Sequence, residues 1–291
     1  MPPDATVSLS ATVGDAVDVA TARFDAVGIE APRREAVRLV ADLLDIGPGR
    51  WWTERERRLE PECHRALGAA VERRAAGEPL AYVTGLIGFR HLTLRADRRA
   101  LIPRPESEGL VDRALRLQPT GVAADIGTGT GCLALALRQE GSYRTVIAVD
   151  RSADAVALAL LNSRATGLPI GLLRGDLAAG LAAASVDLLI SNPPYLSEGE
   201  YHALDRGVRD YEPRLALESG GDGLESTGAL LRDARRVVRP GGWMVVELAT
   251  ARAAATAAIA GSLGWARVRV DEDFFGRARY LVARREDGGT P

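Results

Sequence analysis

The sequence predicts an α/β protein in which a mostly parallel sheet carries helices on both faces, with a small helical region in front of it. Three observations support this prediction. The first third shows apolar residues at helical spacing, the chain after Pro119 alternates between short apolar strands and helical stretches, and a glycine-rich run follows the first of those strands. Such alternation is typical of a parallel sheet that is covered on both sides.

The N-terminal third is predicted to form three helices. Apolar residues recur every three or four positions over residues 13–27 and 32–44, and Pro32 suits the first turn of the second helix. A third helical stretch covers residues 54–76, and it is broken or begins near Pro61. Gly77-Glu-Pro79 ends this helical part of the chain.

The next segment predicts a hairpin and then a helix. Residues 89–94 and 100–102 have the short, apolar character of strands, and Pro103-Arg-Pro105 stops them. A helix is predicted over residues 106–117.

The remainder predicts the sheet. Strands are expected at residues 122–126, 145–150, 170–174, 186–191 and 243–248, helices at 132–139, 153–165, 229–238 and 251–263, and a closing pair of strands at 266–270 and 279–283. The closing pair suits an antiparallel edge. Ligands of such sheets bind at the carboxyl ends of the strands, so the segments that follow each strand are the candidate site.

Composition excludes several classes of protein. The 291 residues are 46% hydrophobic and 26% charged, as in soluble globular proteins, and the net charge of −2 gives no basic field for nucleic acid. Cys63 and Cys132 are far apart and lack metal-ligand spacing, so no metal is expected. No apolar run has the length of a membrane span, and residues 1–6 lack a signal-peptide profile, so we expect a cytoplasmic protein.

The run Asp125-Ile126-Gly127-Thr128-Gly129-Thr130-Gly131 follows the first predicted strand and begins a helix. Glycines allow a sharp turn and a close approach to a ligand, and a helix N-terminus offers free N–H groups. The loop alone is compatible with NAD, FAD or other nucleotides, although its G-x-G-x-G spacing differs from the dinucleotide pattern. Asp125 is placed to contact a cationic amine directly or through water. The sequence contains no lysine, which excludes a phosphoryl-transfer loop.

Two further aspartates follow strands. Asp150 ends the second strand of the sheet about twenty residues on, where a carboxylate accepts from ribose hydroxyls, although it could serve only as a helix cap near Ser152. Asp176, with Leu177, ends the third strand and is placed to accept from an adenine amino group, or is simply a turn residue. These residues predict a nucleoside-containing cofactor.

Asn192-Pro193-Pro194-Tyr195 directly follows the apolar strand at residues 186–191. Both prolines fix φ and lack an N–H, so the turn is rigid and its carbonyls stay free to accept. The Asn192 amide oxygen is a second acceptor, and Tyr195 offers a flat face. The set suits a planar –NH2 group whose nitrogen is to be alkylated, and S-adenosylmethionine is the methyl donor that such a clamp needs. The alternative is a Pro-Pro turn that is merely capped by Asn192.

With these motifs, the chain resembles the release-factor glutamine methyltransferases (HemK/PrmC) over essentially its whole length. Four further segments carry the resemblance: Glu-Pro-Leu-Ala-Tyr at 78–82, Leu-Ile-Pro-Arg-Pro-Glu-Ser-Glu at 101–108, Glu-Pro-Arg-Leu-Ala-Leu at 212–217 and Gly-Asp-Gly-Leu at 221–224. Asn-Pro-Pro-Tyr alone is shared with adenine N6 methyltransferases, and the segments at 101–108 and 212–224 discriminate between the two groups. Ribosomal-protein glutamine methyltransferases are similar but usually differ at 101–108.

The resemblance implies a class I, Rossmann-like methyltransferase with a seven-stranded sheet, and three parts: a helical substrate-recognition domain (1–85), a hairpin linker (86–105) and a catalytic domain (106–291). It implies that S-adenosylmethionine, bound by the loop at 125–131, Asp150, Asp176, Leu177 and Asn192, methylates the glutamine of the Gly-Gly-Gln loop of a peptide chain release factor. Residues 192–195 would bind the amide, with Asn192, Pro193 and Tyr195 catalytic. Arg104 and Glu106 would lie near the cleft.

The sequence departs from the family pattern at three places: Ser107 replaces the usual Thr, His91 and Leu94 replace Gly and Phe, and the Gly and Gln that usually follow Glu247 are missing. Other substrates therefore stay open: a glutamine of another protein such as a ribosomal protein, a small amide, or adenine N6. An adenine enzyme would need a basic groove and stacking aromatics, and only 5% of the residues are aromatic. A regulator that binds the cofactor without catalysis is the alternative outside enzymes.

Overall fold

A computed structural model describes residues 12–47 and 49–286 of the chain. It contains two compact units that divide after Leu86. The predicted outer ends of the domains, 1–11 and 287–291, lie outside the described residues, as does Pro48. The three-part division at residues 85 and 105 stays a prediction.

The first unit is a small helical domain. Its helices are α1 (Val13–Ala26), α2 (Pro32–Leu43), α3 (Pro61–Ala75) and α4 (Leu80–Thr84). The Thr12 side chain accepts from the Asp15 N–H and so caps α1, whereas α2 and α3 each begin at a proline. A core that includes Val17, Phe24 and Leu39 is fully buried between them. The three predicted helices are confirmed; the third begins at Pro61.

The predicted hairpin exists, but its predicted strands are wrong. The two strands are β1 (Leu86–Phe89) and β2 (Leu92–Arg95), and residues 100–102 form no strand. The turn falls inside the segment that was predicted as the first strand, because Arg90 adopts a left-handed backbone with φ of 51°. Its guanidinium bonds Glu140 and Asp112, far along the chain. A local pattern does not reveal such a tertiary anchor.

The second unit is built on a sheet whose seven strands, among the described residues, have the order β5-β4-β3-β6-β7-β9-β8. The strands are β3 (Thr120–Ile126), β4 (Ser142–Asp150), β5 (Gly171–Arg174), β6 (Val186–Ser191), β7 (Val238–Glu247), β8 (Ala266–Glu272) and β9 (Ala278–Arg284). Neighbours from β5 to β7 are parallel, and β9 runs antiparallel to β7 and β8. The chain proceeds outward in both directions from β3 and β6, which creates a crevice at their carboxyl ends.

Helices cover both faces of this sheet. They are α5 (Glu108–Leu117), α6 (Cys132–Glu140), α7 (Ala153–Thr166), α10 (Glu225–Val237) and α11 (Ala253–Ser262), and two short helices, α8 (Glu198–His202) and α9 (Arg206–Arg209), lie in the segment between β6 and α10. Successive residues of β6 alternate between two cores: Leu188 and Ile190 pack with α5 and α6, while Leu189 packs with α10. This alternation explains why β6 is apolar almost throughout.

The predicted fold class is confirmed, and the predicted sheet strands are all present. Some boundaries differ: β7 begins at Val238, before the expected residue 243, because a register shift opposite β6 lets the strand continue through Pro240 and the glycines that follow. Helix α10 begins at Glu225, four residues early. Within residues 12–47 and 49–286, no helix has the length and apolarity that crossing a bilayer requires.

Candidate active site

A cavity of about 370 Å³ lies within the second unit, where the segments after β3, β4, β5 and β6 meet. Most of the site residues predicted from the sequence line it: Gly127, Thr128, Gly129, Thr130, Asp150, Asp176, Leu177, Asn192, Pro193 and Pro194. Asp125, Gly131 and Tyr195 are not among the lining residues. The structure therefore joins the glycine-rich loop and the Asn-Pro-Pro turn in one space.

The glycine-rich loop is held tightly against the end of β4. The N–H groups of Gly127 and Thr128 both donate to the Val149 carbonyl, at 2.8 and 3.0 Å, and the Gly129 N–H donates to the Asp150 carboxylate at 2.9 Å. Gly127, Gly129 and Gly131 all have positive φ. The tight turn thus depends on glycine at three alternate positions.

Residue 131 has to be a glycine, because helix α7 approaches it closely. It has φ of 84° at the start of α6, and a Cβ there would lie 3.2 Å from the Cβ of Ala159 on α7. Helix α7 also supports the loop from below. The fully buried Asn162 side chain donates to the Thr130 carbonyl at 2.8 Å and bonds both backbone groups of Arg95. Sequence reasoning missed Asn162, because its α7 position carries no motif.

Asp125 lies beneath the loop and is fully buried. Its carboxylate accepts from the Thr128 hydroxyl at 2.6 Å and from the Ala134 N–H at 3.2 Å. Burial raises the pKa of Asp125 to about 7, and the Thr128 hydrogen bond opposes that shift. The carboxylate ties the two ends of the loop together, and the contact with a cationic amine, direct or through water, that we expected from the sequence stays a prediction.

Asp150 presents its carboxylate to the cavity from the end of β4. One oxygen accepts from Gly129 N–H and the other from Ser152 N–H, each at 2.9 Å. Both the cap and the ligand interpretations of Asp150 are compatible with these bonds, because each carboxylate oxygen has a second lone pair. Ser152, not Asp150, supplies the side-chain cap of α7.

Asp176 and Leu177 form the turn after β5. Asp176 is exposed and Leu177 is half-buried, and both line the cavity. Leu177 has φ of 47°, a left-handed conformation that costs a residue with a side chain about 1 kcal/mol or more. A strained turn at the mouth of a cavity fixes where the Leu177 side chain lies.

The Asn192 turn is tied to both neighbouring strands. The buried Ser191 hydroxyl donates to the Ile126 carbonyl at 2.6 Å, which joins the ends of β6 and β3. The Asn192 amide donates from Nδ2 to Ser107 Oγ at 3.0 Å, and the Ser107 hydroxyl donates to Glu247 Oε2 at 2.7 Å. Sequence reasoning assigned neither Ser107 nor Glu247 a role at the site.

Pro193 is buried, and Pro194 is half-buried beside it. The backbone N–H groups of Tyr195 and Leu196 both donate to the Leu217 carbonyl, at 3.2 and 2.9 Å, so residues 212–217 hold the far side of the turn. Gly223 packs against it as well: a Cβ there would lie 2.6 Å from the Tyr195 carbonyl oxygen. The sequence blocks at 212–217 and 221–224 therefore support the turn physically.

Buried titratable groups surround this end of the cavity. Burial raises the pKa of Glu247 to about 7, against the opposing effect of the Ser107 hydrogen bond. Burial also raises the pKa of Cys132 to about 12 and raises the pKa of Tyr195 above its usual value. Cys132 is thus a neutral thiol at physiological pH and no nucleophile.

Arg104 and Glu106, which had no assigned role, anchor the segment before α5. Arg104 pairs with the buried Glu212, and Glu106 pairs with Arg277 at 3.3 Å. Within the described ranges, no cluster of three or more His, Cys, Asp or Glu side chains has the geometry to hold a metal ion. The arrangement offers a carboxylate, a glycine-rich turn and an amide acceptor within one cavity, which suits a nucleoside cofactor beside an –NH2 substrate.

Two family models match the chain: the PrmC N-terminal domain matches residues 15–85, and the methyltransferase small domain matches residues 107–224. Among solved structures, a methyltransferase from Pyrococcus furiosus is similar with a TM-score of 0.52 and 20% identity, over 68% of this chain and 91% of that chain. This likeness supports the α/β methyltransferase fold alone.

Curated relatives match over nearly their full length. Release factor glutamine methyltransferases are 40% identical in Cereibacter sphaeroides (93% of this chain, 97% of the relative) and 38% identical in Nitratidesulfovibrio vulgaris (90% and 92%). The Deinococcus radiodurans relative of the same name is 36% identical (94% and 99%). On these matches, and on the site geometry that they accompany, the chain belongs to the release factor glutamine methyltransferase family.

Proposed function

We propose that this enzyme uses S-adenosylmethionine to methylate the side-chain amide nitrogen of the glutamine in the Gly-Gly-Gln loop of a peptide chain release factor. The observation that carries the proposal is the single cavity lined by both the glycine-rich loop with Asp150 and the Asn192-Pro193-Pro194 turn. A methyl donor and an amide acceptor have to share one space for direct transfer.

The residues on the cofactor side fit a nucleoside. Asp150 has carboxylate lone pairs beyond the two N–H bonds that it accepts, and these are available to ribose hydroxyls. Asp176 and the strained Leu177 are proposed to flank the adenine. Gly127 to Gly131 bring the backbone close to the ligand, Asp125 holds that loop from beneath, and Asn192 borders the cofactor on its other side.

On the substrate side, Asn192 Oδ1 and the Pro193 carbonyl are proposed to accept the two amide hydrogens. Pro193 lacks an N–H and has a fixed φ, so its carbonyl is held without a competing donor on the same residue. Pro194 makes the turn rigid, and Tyr195 is proposed to stack on the amide plane at the rim. Accepting both hydrogens favours a lone pair on nitrogen that points at the electrophile.

S-adenosylmethionine, when bound, supplies an electrophilic methyl group on a positively charged sulfur. The glutamine nitrogen forms a bond to the methyl carbon as the carbon–sulfur bond breaks, its electron pair goes to sulfur, and the nitrogen then loses a proton to solvent. Orientation supplies most of the acceleration. We assign no catalytic role to His64, His91 or His202, and we propose no metal.

The release factor as partner rests on the names of the relatives, which are 33% to 40% identical to this chain. A cytoplasmic location would follow from that partner, because release factors act on ribosomes. Another glutamine-bearing protein, such as a ribosomal protein, remains the alternative substrate. Adenine N6 methylation is disfavoured by the net charge of −2 and the 5% aromatic content, so direct nucleic-acid binding is not expected.

The test incubates the enzyme with S-adenosylmethionine labelled in the methyl group and with purified release factor. A matched release factor carries Gly-Gly-Ala in place of Gly-Gly-Gln. Label on the first protein alone supports the proposal. Label on both proteins moves the target to another residue, and no label on either, with cofactor binding intact, contradicts release factor as substrate.

A further inference from the structure

Three side chains form a hydrogen-bonded row at the carboxyl edge of the sheet. Asn192 Nδ2 donates to Ser107 Oγ at 3.0 Å, and Ser107 Oγ donates to Glu247 Oε2 at 2.7 Å. Asn192 follows β6, Glu247 ends the adjacent strand β7, and Ser107 comes from the short 3₁₀ turn before α5. Only Asn192 and Ser107 border the cavity; Glu247 lies behind them and is 1% exposed.

The direction of each hydrogen bond in this row is set by Glu247. An ionised carboxylate can only accept, so the Ser107 proton is committed to Glu247. The Ser107 oxygen is then left as an acceptor, and the neighbouring asparagine must present its –NH2 to it. The Asn192 oxygen is consequently turned away from Ser107. Without this row, the two ends of an asparagine amide are nearly alike in shape and could exchange places.

We propose that Ser107 and Glu247 are positioning residues that hold the Asn192 amide in the one orientation in which Oδ1 can accept from the substrate –NH2 group. The proposal rests on the proposed function, since it presumes that Asn192 binds an amide. An apolar pair at positions 107 and 247 would fill the same volume without a buried charge, but it would leave the orientation of Asn192 unset.

The turn that carries Ser107 is itself fixed. The Ser107 N–H donates to the Arg104 carbonyl at 3.0 Å, and the Tyr280 hydroxyl donates to the Glu106 carbonyl at 2.6 Å. Tyr280 lies on β9 directly beside Glu247 in the sheet register. Ser107 therefore reaches Asn192 and Glu247 from a turn that is anchored on both sides.

The row depends on the charge of Glu247, which predicts a dependence on pH. A protonated Glu247 can donate to Ser107 and release Asn192 from its fixed orientation. Burial raises the pKa of Glu247 to about 7, so methyl transfer is expected to fall as the pH drops through that value. The titratable and charged groups that act on Glu247 from the elements around it are Arg279, Glu106, Arg104, Tyr195, Tyr280 and Cys132.

Substitutions at Ser107 test the first link. Ser107→Ala is expected to lower kcat for release-factor methylation about tenfold, because Asn192 loses its hydrogen bond to the row that Glu247 orients. Binding of S-adenosylhomocysteine is expected to stay within about twofold of the wild type. Ser107→Thr keeps the hydroxyl and is expected to restore kcat. Ser262→Ala, on the exposed end of α11, is the matched control and leaves both quantities unchanged.

Glu247→Gln tests the second link by its pH profile. The wild type is expected to lose kcat below about pH 7, whereas Glu247→Gln has a lower kcat, by about three- to tenfold, that does not change between pH 6 and 8. Because Glu247 acts through Ser107, the double variant is expected to match Ser107→Ala alone, and not the product of the two effects.

Any one of four results would overturn the proposal. Two concern Ser107: full kcat in Ser107→Ala, or a Ser107→Thr variant that does not restore kcat. The other two are a Glu247→Gln variant that still loses kcat below about pH 7, and additive effects in the double variant. If Ser107→Ala does not fold, as judged by loss of S-adenosylhomocysteine binding, the Glu247→Gln profile decides. The wild type is assayed first: no label on release factor contradicts the proposed function, whereas a labelled release factor with any of the results above contradicts the positioning role alone.

Discussion

The guanidinium of Arg104 pairs with the carboxylate of Glu212, 108 residues further along the chain. The Glu212 side chain is 1% exposed, and its other oxygen accepts from the Ile102 N–H at 3.1 Å. The pair joins the Leu-Ile-Pro-Arg-Pro-Glu segment to the Glu-Pro-Arg-Leu segment, two of the segments on which the resemblance to the family was based. Both segments contribute lining residues to the cavity.

Replacing Glu212 with alanine is expected to lower the free energy of unfolding by about 2 kcal/mol. The change leaves the Ile102 N–H buried without its acceptor and removes the partner of Arg104. The penalty is less than for a fully buried pair, because the Arg104 side chain is 33% exposed and water can reach it. Denaturant unfolding measures the change. Asp210→Ala, which removes exposed ion pairs with Arg206 and Arg209, is the control and should change the free energy of unfolding much less than Glu212→Ala does.

Alanine substitutions at the two asparagines of the chain are expected to have different effects: one on turnover and the other on stability. Asn192→Ala should abolish methylation while largely sparing cofactor binding, because it removes the proposed amide acceptor. Asn162→Ala should lower the free energy of unfolding by about 2 to 4 kcal/mol, because three hydrogen bonds of a fully buried side chain are lost. Methylation assays and unfolding curves on both variants check the pair. Turnover by Asn192→Ala would contradict the clamp.

Asp150→Asn is expected to weaken S-adenosylmethionine binding by about tenfold to a hundredfold. The substitution removes the charge and one of the two acceptors, so an amide that bonds Gly129 can no longer bond Ser152 in the same way. Calorimetric titration measures the dissociation constant, and kcat at saturating cofactor should change little. Asp154→Asn, exposed in the first turn of α7, is the control. Equal affinities in the two variants would reduce Asp150 to a structural role.

Glu247→Gln is expected to gain stability over the wild type as the pH rises. The folded state raises the pKa of Glu247 from 4.5 to about 7, so between these values the folded protein holds a proton that the unfolded chain has lost. Wild-type stability therefore falls with rising pH in this window, and the advantage of the variant should grow by about 2 to 3 kcal/mol before it levels off. Unfolding at pH 5, 6, 7 and 8 measures it. The contribution of Asp125 is the same in both proteins, so a difference that is constant with pH would contradict the shift.

Gly131→Ala is expected to cost about 1 to 3 kcal/mol of stability and to weaken cofactor binding. The alanine would have to adopt the left-handed backbone and its methyl group would press on Ala159 at 3.2 Å. Gly199→Ala is the matched control, because Gly199 lies in α8 with open space around its Cβ position. That change should be neutral or slightly stabilising. Equal behaviour of the two variants would contradict the role of Gly131.

Much of the fold could be predicted because its elements carry strong local signals. The strand at 186–191 is apolar on both faces, and its predicted limits match β6. The hairpin was misplaced because the turn at Arg90 is fixed by Glu140 and Asp112, whose positions depend on the folded chain. The strand was predicted to begin only at residue 243, yet a register shift accommodates Pro240 and the two glycines that follow it within β7.

The candidate site, like the fold, could be predicted from the sequence only in part. Asp150 and Asn192 could be predicted to lie at the cavity, because Asp150 ends a recognisable strand and Asn192 directly follows another. Their orientation could not, since it depends on partners such as Ser107 that are remote in the chain. Asp125 illustrates the difference: its place before the first glycine suggested a ligand contact, whereas its burial beneath the loop and its bond to Thr128 became visible only in the structure.

The bond between Ser107 and Glu247 spans 140 residues, and this separation has a consequence for synthesis. All of the residues that are proposed to bind the cofactor, except Asn192, have been synthesised once the ribosome has passed Leu177, whereas the row that orients Asn192 requires the strand that ends at Glu247. A nascent chain between these points carries a cofactor loop without an oriented acceptor. Methylation competence is therefore expected to arise late in folding, after the long-range pairing of β6 with β7.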